Sequence, residues 1–223
     1  MLSFFKDYKY FGIAFLILSI IIISIIYNIL DVYKPLPIYQ PNRVSEELVD
    51  STIQHKSKYH KIADFSLINQ NGDSITQDYY KDKIYVAAFF FTTCQTICPI
   101  MTDHMKDIQQ ELKDDMDILL LSHSVTPEID SVAQLKKYAL DKGVIDSKWN
   151  LVTGDKKQIY ELARKSYLAV KTDGDGGPYD MIHTENFMLI DKKKQIRGFY
   201  DGTDKEDIQR LLDDIEVLKE EYK

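Results

Sequence analysis

Cysteine is nearly absent from this chain: its 223 residues hold two, Cys94 and Cys98. No four-ligand zinc spacing exists, so a structural zinc site is excluded. A plain structural disulfide between them would close so short a loop that it stabilises little. Also missing are a phosphate-binding glycine loop and a Cys-His-Asp order of the nucleophilic kind. No arginine lies near the cysteines in sequence, which removes support for a peroxidase-like thiol. Neither an internal repeat nor a low-complexity block is present. Positive charge is scarce as well. After the first 34 residues, 25 Lys and Arg face 33 Asp and Glu, a net of −8. That acidity disfavours a nucleic-acid surface and leaves no basic patch for anionic lipid.

Charge of either sign is missing from the 20 residues Phe11 to Leu30. This is about the length that crosses a bilayer core of roughly 30 Å as a helix. A signal peptide would carry a shorter apolar region ending in small residues. Here the run ends Tyr27-Asn28-Ile29-Leu30-Asp31, with neither a cleavage pattern nor a lipid-accepting cysteine. The reading is a short tail (1–10), an uncleaved transmembrane anchor (11–30), a tether with Pro35, Pro37 and Pro41 (31–59), and one domain (60–223). Lys6 and Lys9 precede the anchor, offset by Asp7, and Asp31 and Lys34 follow. This weak bias favours a single pass through the inner (cytoplasmic) membrane, with the C-terminal domain on the extracytoplasmic side.

What is present after the tether alternates between strand and helix. Ala63–Asn69 reads as a strand, Asn71-Gly72 as a hairpin turn, and Asp73–Thr76 as the returning strand. Ile84–Phe91 is apolar, aromatic and β-branched, a buried strand. Asp117–Ser122 reads as a central parallel strand, Ser131–Lys142 as a helix ended by Gly143, and Asn150–Thr153 as a strand. Asp155 caps a helix to Tyr167, a glycine-rich loop spans Thr172–Asp180, and Glu185–Asp191 with Gln195–Tyr200 form a second hairpin. Asp204–Glu221 closes the chain as an amphipathic helix. Hairpins flanking strand–helix units imply an α/β sandwich with a mixed central sheet and flanking helices. A strand leading into a paired-cysteine helix start makes that sandwich thioredoxin-like.

The cysteines fall where the Ile84–Phe91 strand hands over to a helix that runs to about Lys113, with Pro99 suited to its first turn. A helix N-terminus favours thiolates. The Cys94-x-x-x-Cys98 spacing puts the sulfurs about one helical turn apart, close enough for a disulfide and loose enough to admit an ion. Such a pair exchanges disulfides or holds a soft metal such as Cu(I), which an imidazole would complete. Five histidines are available. His55 and His60 read as solvated, and His104 falls off the cysteine edge. His123 ends a central strand, as a ligand or a satisfied surface group. His183 lies between the glycine-rich loop and a core strand, as a ligand or a structural histidine. Met101 and Met105 read as core packing. Asp173-Gly174-Asp175 lacks the further oxygens of a calcium loop.

Three segments carry a resemblance to the Sco/SenC family. Phe91-Thr92-Thr93-Cys94-Gln95-Thr96-Ile97-Cys98-Pro99 is similar to its F-T-x-C-P-x-x-C-P signature. Ser124-Val125-Thr126-Pro127-Glu128-Ile129-Asp130 resembles its S-V-D-P-E-R-D segment, and Asp180-Met181-Ile182-His183 with Phe187–Asp191 its histidine segment. The resemblance implies a membrane-tethered copper metallochaperone for the binuclear copper centre of cytochrome c oxidase. It carries the ligand roles onto Cys94, Cys98 and His183, with Cu(I) and Cu(II) as the cargo. Its partners would be the copper-bearing oxidase subunit, a copper donor and a thiol reductant. The alternative is a thiol–disulfide reductase working through Cys94 and Cys98 on a partner's copper-ligand cysteines. Gln95 stands where the family has proline, and Thr126 and Ile129 stand where it has Asp and Arg. The first departure loosens the cysteine loop; the second removes charge near the site.

Overall fold

The computed structural model describes residues 8–30, 35–44, 49, 52–55, 58–170 and 180–223, with the backbone alone for 27–30. The chain divides into two compact units, Met1–Pro35 and Leu36–Lys223. Within the first, helix α1 (Lys9–Leu30) has 22 residues, about 33 Å at 1.5 Å per residue. It is the one helix among the described residues long and apolar enough to cross a membrane. Its Ser19 hydroxyl donates to the Phe15 carbonyl at 2.8 Å, so the polar group is satisfied inside the helix.

The second unit is a seven-stranded mixed sheet, ordered β2-β1-β5-β4-β3-β6-β7. The strands are β1 (Ser66–Asn69), β2 (Ser74–Thr76), β3 (Ile84–Phe90), β4 (Ile118–Ser124), β5 (Trp149–Thr153), β6 (Asn186–Ile190) and β7 (Ile196–Asp201). β3, β4 and β5 run parallel, with Phe89 beside His123 and His123 beside Val152. β1 joins β5 and β6 joins β3 antiparallel, so a hairpin closes each edge. β3 and β4 are buried at all seven positions each, which explains their unbroken apolar runs.

Alternation along β3 feeds two cores. Tyr85, Ala87 and Phe89 face one; Ile84, Val86, Ala88 and Phe90 face the other. The second is roofed by α2 (Ile97–Glu111), α3 (Val132–Lys142) and α5 (Lys205–Glu220), through Met101, Met105, Leu135, Leu211 and Ile215. The first is covered by α4 (Lys156–Glu161) and the turn after it, through Ile159, Tyr160 and Leu162. This is the helix-flanked mixed sheet of a thioredoxin-like sandwich. Met101 and Met105 are core residues, as their spacing predicts.

Three differences from the sequence reading have physical causes. The helix from Asp155 changes character: after α4 comes a π turn, Leu162–Ser166, in which the Tyr167 amide reaches the Leu162 carbonyl at 2.7 Å. Leu168, at φ +53°, then turns the chain away. The compact unit also begins at Leu36, well ahead of residue 60. Buried Arg197 donates to the Leu36 and Pro37 carbonyls at 2.7 and 3.2 Å while it pairs with Asp191 and Glu221. Those bonds draw the proline segment onto the domain. Last, His60 is buried: its ring contacts the Ser166 carbonyl at 2.7 Å and its amide donates to Gln40 at 2.9 Å.

Candidate metal centre

The cysteine turn connects the carboxyl end of β3 to α2. The helix begins at Ile97, two residues before Pro99, so the proline falls among first-turn positions whose amides have no helical acceptor. Cys98 is therefore the second helical residue, while Cys94 lies in the turn outside the helix. The break comes at Thr96 (φ −111°, ψ −88°), whose side chain makes no cap bond. Its hydroxyl instead lies 3.5 Å from Cys94 Sγ, and the Cys94 amide donates to the Phe91 carbonyl at 3.3 Å.

Both cysteines are free thiols with opposite surroundings. Cys94 is half-exposed, and Cys98 is 4% exposed. Partial burial alone would raise the Cys94 thiol. Hydrogen bonds from the Thr96 hydroxyl, the Thr96 and Cys98 amides and the Cys98 thiol outweigh it and bring Cys94 down to about 7. Burial pushes Cys98 up to about 12; a bond from the Phe91 amide opposes this, while Cys94 and Asp130 reinforce it. A nucleophilic outer thiol thus sits against a protonated inner one.

Asp130 braces this turn from beneath. It is 0% exposed, and its carboxylate accepts from the Thr92 hydroxyl (2.5 Å), the Thr92 amide (3.2 Å), the Ser124 hydroxyl (2.6 Å) and the Thr126 hydroxyl (3.1 Å). Gln134 donates in turn to Thr92 Oγ1 at 3.0 Å. The loop after β4 is thereby tied to the loop after β3. Thr126 contributes a donor where the family resemblance has a second carboxylate, and Ile129 presents an exposed apolar side chain where it has Arg.

His183 comes from an extended span, Asp180–Glu185, just before β6. Buried Ile182 anchors it and the imidazole is exposed. The ring meets Phe91 edge-on, centroids 5.9 Å apart at 80°. His183 and Cys98 line one narrow cleft with Phe91, Ile97, Val125 and Ile182. The Cys98 thiol is near enough to Cys94 to help stabilise its thiolate. No three Asp, Glu, His or Cys among the described residues stand close enough to enclose a metal ion. His183 is thus on the rim of the cleft that Cys98 lines. Two soft sulfurs and an imidazole are nonetheless the donor chemistry that suits copper.

The other histidines are elsewhere. His104 is buried and its Nδ1 contacts the Gly202 carbonyl at 2.8 Å. His123 is fully buried rather than on the surface, stacked on Phe89 with centroids 4.8 Å apart. Its Nε2 has no hydrogen-bond partner among the described residues, and burial brings it down to about 4. Most of the glycine-rich loop, including Asp173–Asp175, lies outside the described residues. Sequence reasoning missed Thr92 and Asp130 as a brace, and Tyr160, Arg164 and Asp180 around the histidine span. That Asp130 ends the family-like Ser124–Asp130 segment was the one available signal.

Comparison with known proteins adds the lineage. The SCO1/SenC family profile matches residues 53–220. The SCO1 protein homolog of Bacillus subtilis (strain 168) is 32% identical over 158 residues, covering 70% of this chain and 81% of that one. BsSco, a member of the Sco family of cytochrome c oxidase assembly proteins in which a disulfide switch has been identified, superposes with a TM-score of 0.61 at 31% identity, over 71% of this chain and 93% of its own. Copper-bound ScoI of Arabidopsis thaliana gives 0.55 at 25% identity, over 69% and 97%. A match that takes in the cysteine turn, its brace and the histidine span together means that the chain belongs to the SCO1/SenC family.

Proposed function

We propose that this protein is a membrane-anchored copper-binding protein that holds copper on Cys94, Cys98 and His183 and delivers it to the copper-bearing subunit of cytochrome c oxidase. The observation that carries the reading is one juxtaposition: His183 shares a cleft with Cys98, and Cys98 helps to stabilise the Cys94 thiolate beside it. The sulfurs supply most of the Cu(I) affinity, and His183 adds the nitrogen that Cu(II) prefers. An exposed third donor suits a carrier, since a closed cage would trap its cargo. Helix α1 anchors the chain in the cytoplasmic membrane and the domain works on the extracytoplasmic side. A copper donor loads it and a thiol reductant restores it.

The test is metal content. Reduced protein, prepared anaerobically, takes up one copper per chain, and uptake weakens as pH falls because protons compete for all three donors. Cys94→Ser or Cys98→Ser abolishes tight binding. His183→Ala leaves a two-coordinate Cu(I) form and loses most Cu(II) affinity. Wild-type affinity for both copper states in His183→Ala sinks the ligand assignment.

The unequal thiols favour a second reading, reduction of a partner disulfide. The Cys94 thiolate attacks one partner sulfur, forming a mixed disulfide and releasing the other as a thiolate. Cys98 then gives up its proton and attacks Cys94 Sγ, which frees the second partner thiol. The partner gains two electrons and Cys94–Cys98 becomes a disulfide. His183 takes no part, so His183→Ala separates the readings. If cells carrying it assemble cytochrome oxidase normally, reduction is the main role.

A further inference from the structure

The span that carries His183 is fastened at both ends. At the β6 end, the Glu185 carbonyl accepts the Gly202 amide at 2.7 Å. A side chain on residue 202 would meet that carbonyl at 2.8 Å and the Phe187 ring at 2.7 Å, so glycine alone permits this approach. At the other end, Arg164 of the π turn donates to Asp180 Oδ1 at 2.7 Å, in a pair whose side chains are 8% and 7% exposed.

Tyr160 joins this pair to the floor of the site. The Arg164 guanidinium lies 5.3 Å from the centroid of the Tyr160 ring, which acts as its shelf. The Tyr160 hydroxyl is 3.0 Å from both the Asp180 and Val125 carbonyls, and its oxygen accepts the Ile182 amide. Val125 in turn donates its amide to the Phe90 carbonyl at 2.9 Å. A chain of bonds therefore runs from the last residue of β3, beside the cysteine turn, through Val125 and Tyr160 to Asp180 and Ile182. The next residue is His183.

We propose that Arg164, Asp180 and Tyr160 are positioning residues that hold the His183 imidazole at the cleft it shares with Cys98, beside Cys94, so that the nitrogen donor comes from a pinned span. The proposal rests on the reading of Cys94, Cys98 and His183 as copper ligands. A donor must arrive at a fixed distance and angle, and groups that orient a ligand without touching the metal set its affinity. Their removal costs about 10–100-fold. Breaking the pins frees His183 to sample positions away from the sulfurs. The thiol pair keeps its own brace at Asp130 and is left as it was.

The experiment uses reduced full-length protein in detergent, titrated anaerobically with Cu(II). Chelator competition gives affinity, and electron paramagnetic resonance gives the nitrogen hyperfine coupling of a bound imidazole. Wild type shows that coupling. Asp180→Asn and Tyr160→Phe bind Cu(II) about 10–100-fold more weakly, with the coupling reduced, and Arg164→Lys falls between. Exchange with an added small disulfide proceeds at the wild-type rate in all three. Wild-type coupling and affinity in Asp180→Asn and Tyr160→Phe overturn the clamp and leave the ligand assignment standing. Absence of nitrogen coupling in wild type overturns the assignment and the clamp together. If Asp180→Asn fails to fold, Tyr160→Phe, which keeps its ring beneath Arg164, decides alone: unchanged coupling and affinity there reject the clamp.

Discussion

The sulfur side and the imidazole side of the candidate site are held by opposite means. Cys94 and Cys98 leave a strand buried at every position, and a four-donor carboxylate braces the turn from below. His183 rides a span without regular structure, fixed at one end by the Arg164–Asp180 pair and at the other by a backbone bond from Gly202 to Glu185. One side inherits its rigidity from the sheet; the other depends on a few contacts that a small motion can undo. For a carrier the division is useful. Donors that retain the ion belong on the rigid side, and the donor whose loss begins release belongs on the yielding one.

Removing the brace should produce the largest effect, confined to the sulfur side. Asp130→Ala strands the Thr92, Ser124 and Thr126 hydroxyls and the Thr92 amide, and costs about 3 kcal/mol or more in urea unfolding of the reduced apo protein. Alkylation of Cys94 should also lose its midpoint near pH 7. Asp130→Asn, which keeps acceptor capacity, should lose less. An Asp130→Ala protein with wild-type stability and wild-type alkylation would show that the turn holds itself.

The second effect tests the core around Phe89, to which Val125 and Ile182 also belong. His123 is buried against Phe65, Phe89 and Tyr167, and its folded value of about 4 lies below the usual histidine value near 6.5. Between these values the unfolded chain binds the extra proton, so stability falls as pH drops from about 6.5 to about 4 and recovers as pH rises. The full loss is about 3 kcal/mol. His123→Phe should flatten that slope in apo protein. A slope that persists unchanged assigns the acid sensitivity to other groups.

The same division explains what could be read from sequence. The cysteine turn was legible because its signals are local: an apolar run, two thiols and Pro99 within sixteen residues, Ile84 to Pro99. The Asn71-Gly72 turn, the Asp155 cap and the Gly143 stop were legible for the same reason, with Gly143 at φ +74°. His183 could be put forward from its place beside glycines, but its role needed the family resemblance, since nothing local aims an imidazole at a cleft. Asp130 went unnoticed because an acid in a turn is ordinarily solvated, and its Thr92 donors lie 38 positions away. The burial of His60 was hidden likewise, with its ring partner 106 positions off. The π turn is invisible in composition, because Leu162–Ser166 has the residues of an ordinary helix.

The smallest effect measures how finely the brace is shared. Thr126→Val keeps the shape of the side chain and removes one donor, the hydroxyl 3.1 Å from Asp130 Oδ2. Ser124, on the same oxygen at 2.6 Å, and both Thr92 donors remain. The carboxylate stays solvated by protein, so the loss should be about 1 kcal/mol in urea unfolding, against the larger cost of Asp130→Ala. Cys94 alkylation should keep its midpoint, because the Thr96 and Cys98 groups that stabilise the thiolate are untouched. Copper affinity should be unchanged, since Thr126 touches neither the thiols nor the His183 span. A loss as large as that of Asp130→Ala would mean that the longest of the hydroxyl bonds organises the other donors. Thr126 would then be the keystone of the loop, and its exchange for the family's aspartate a change in architecture as well as in charge.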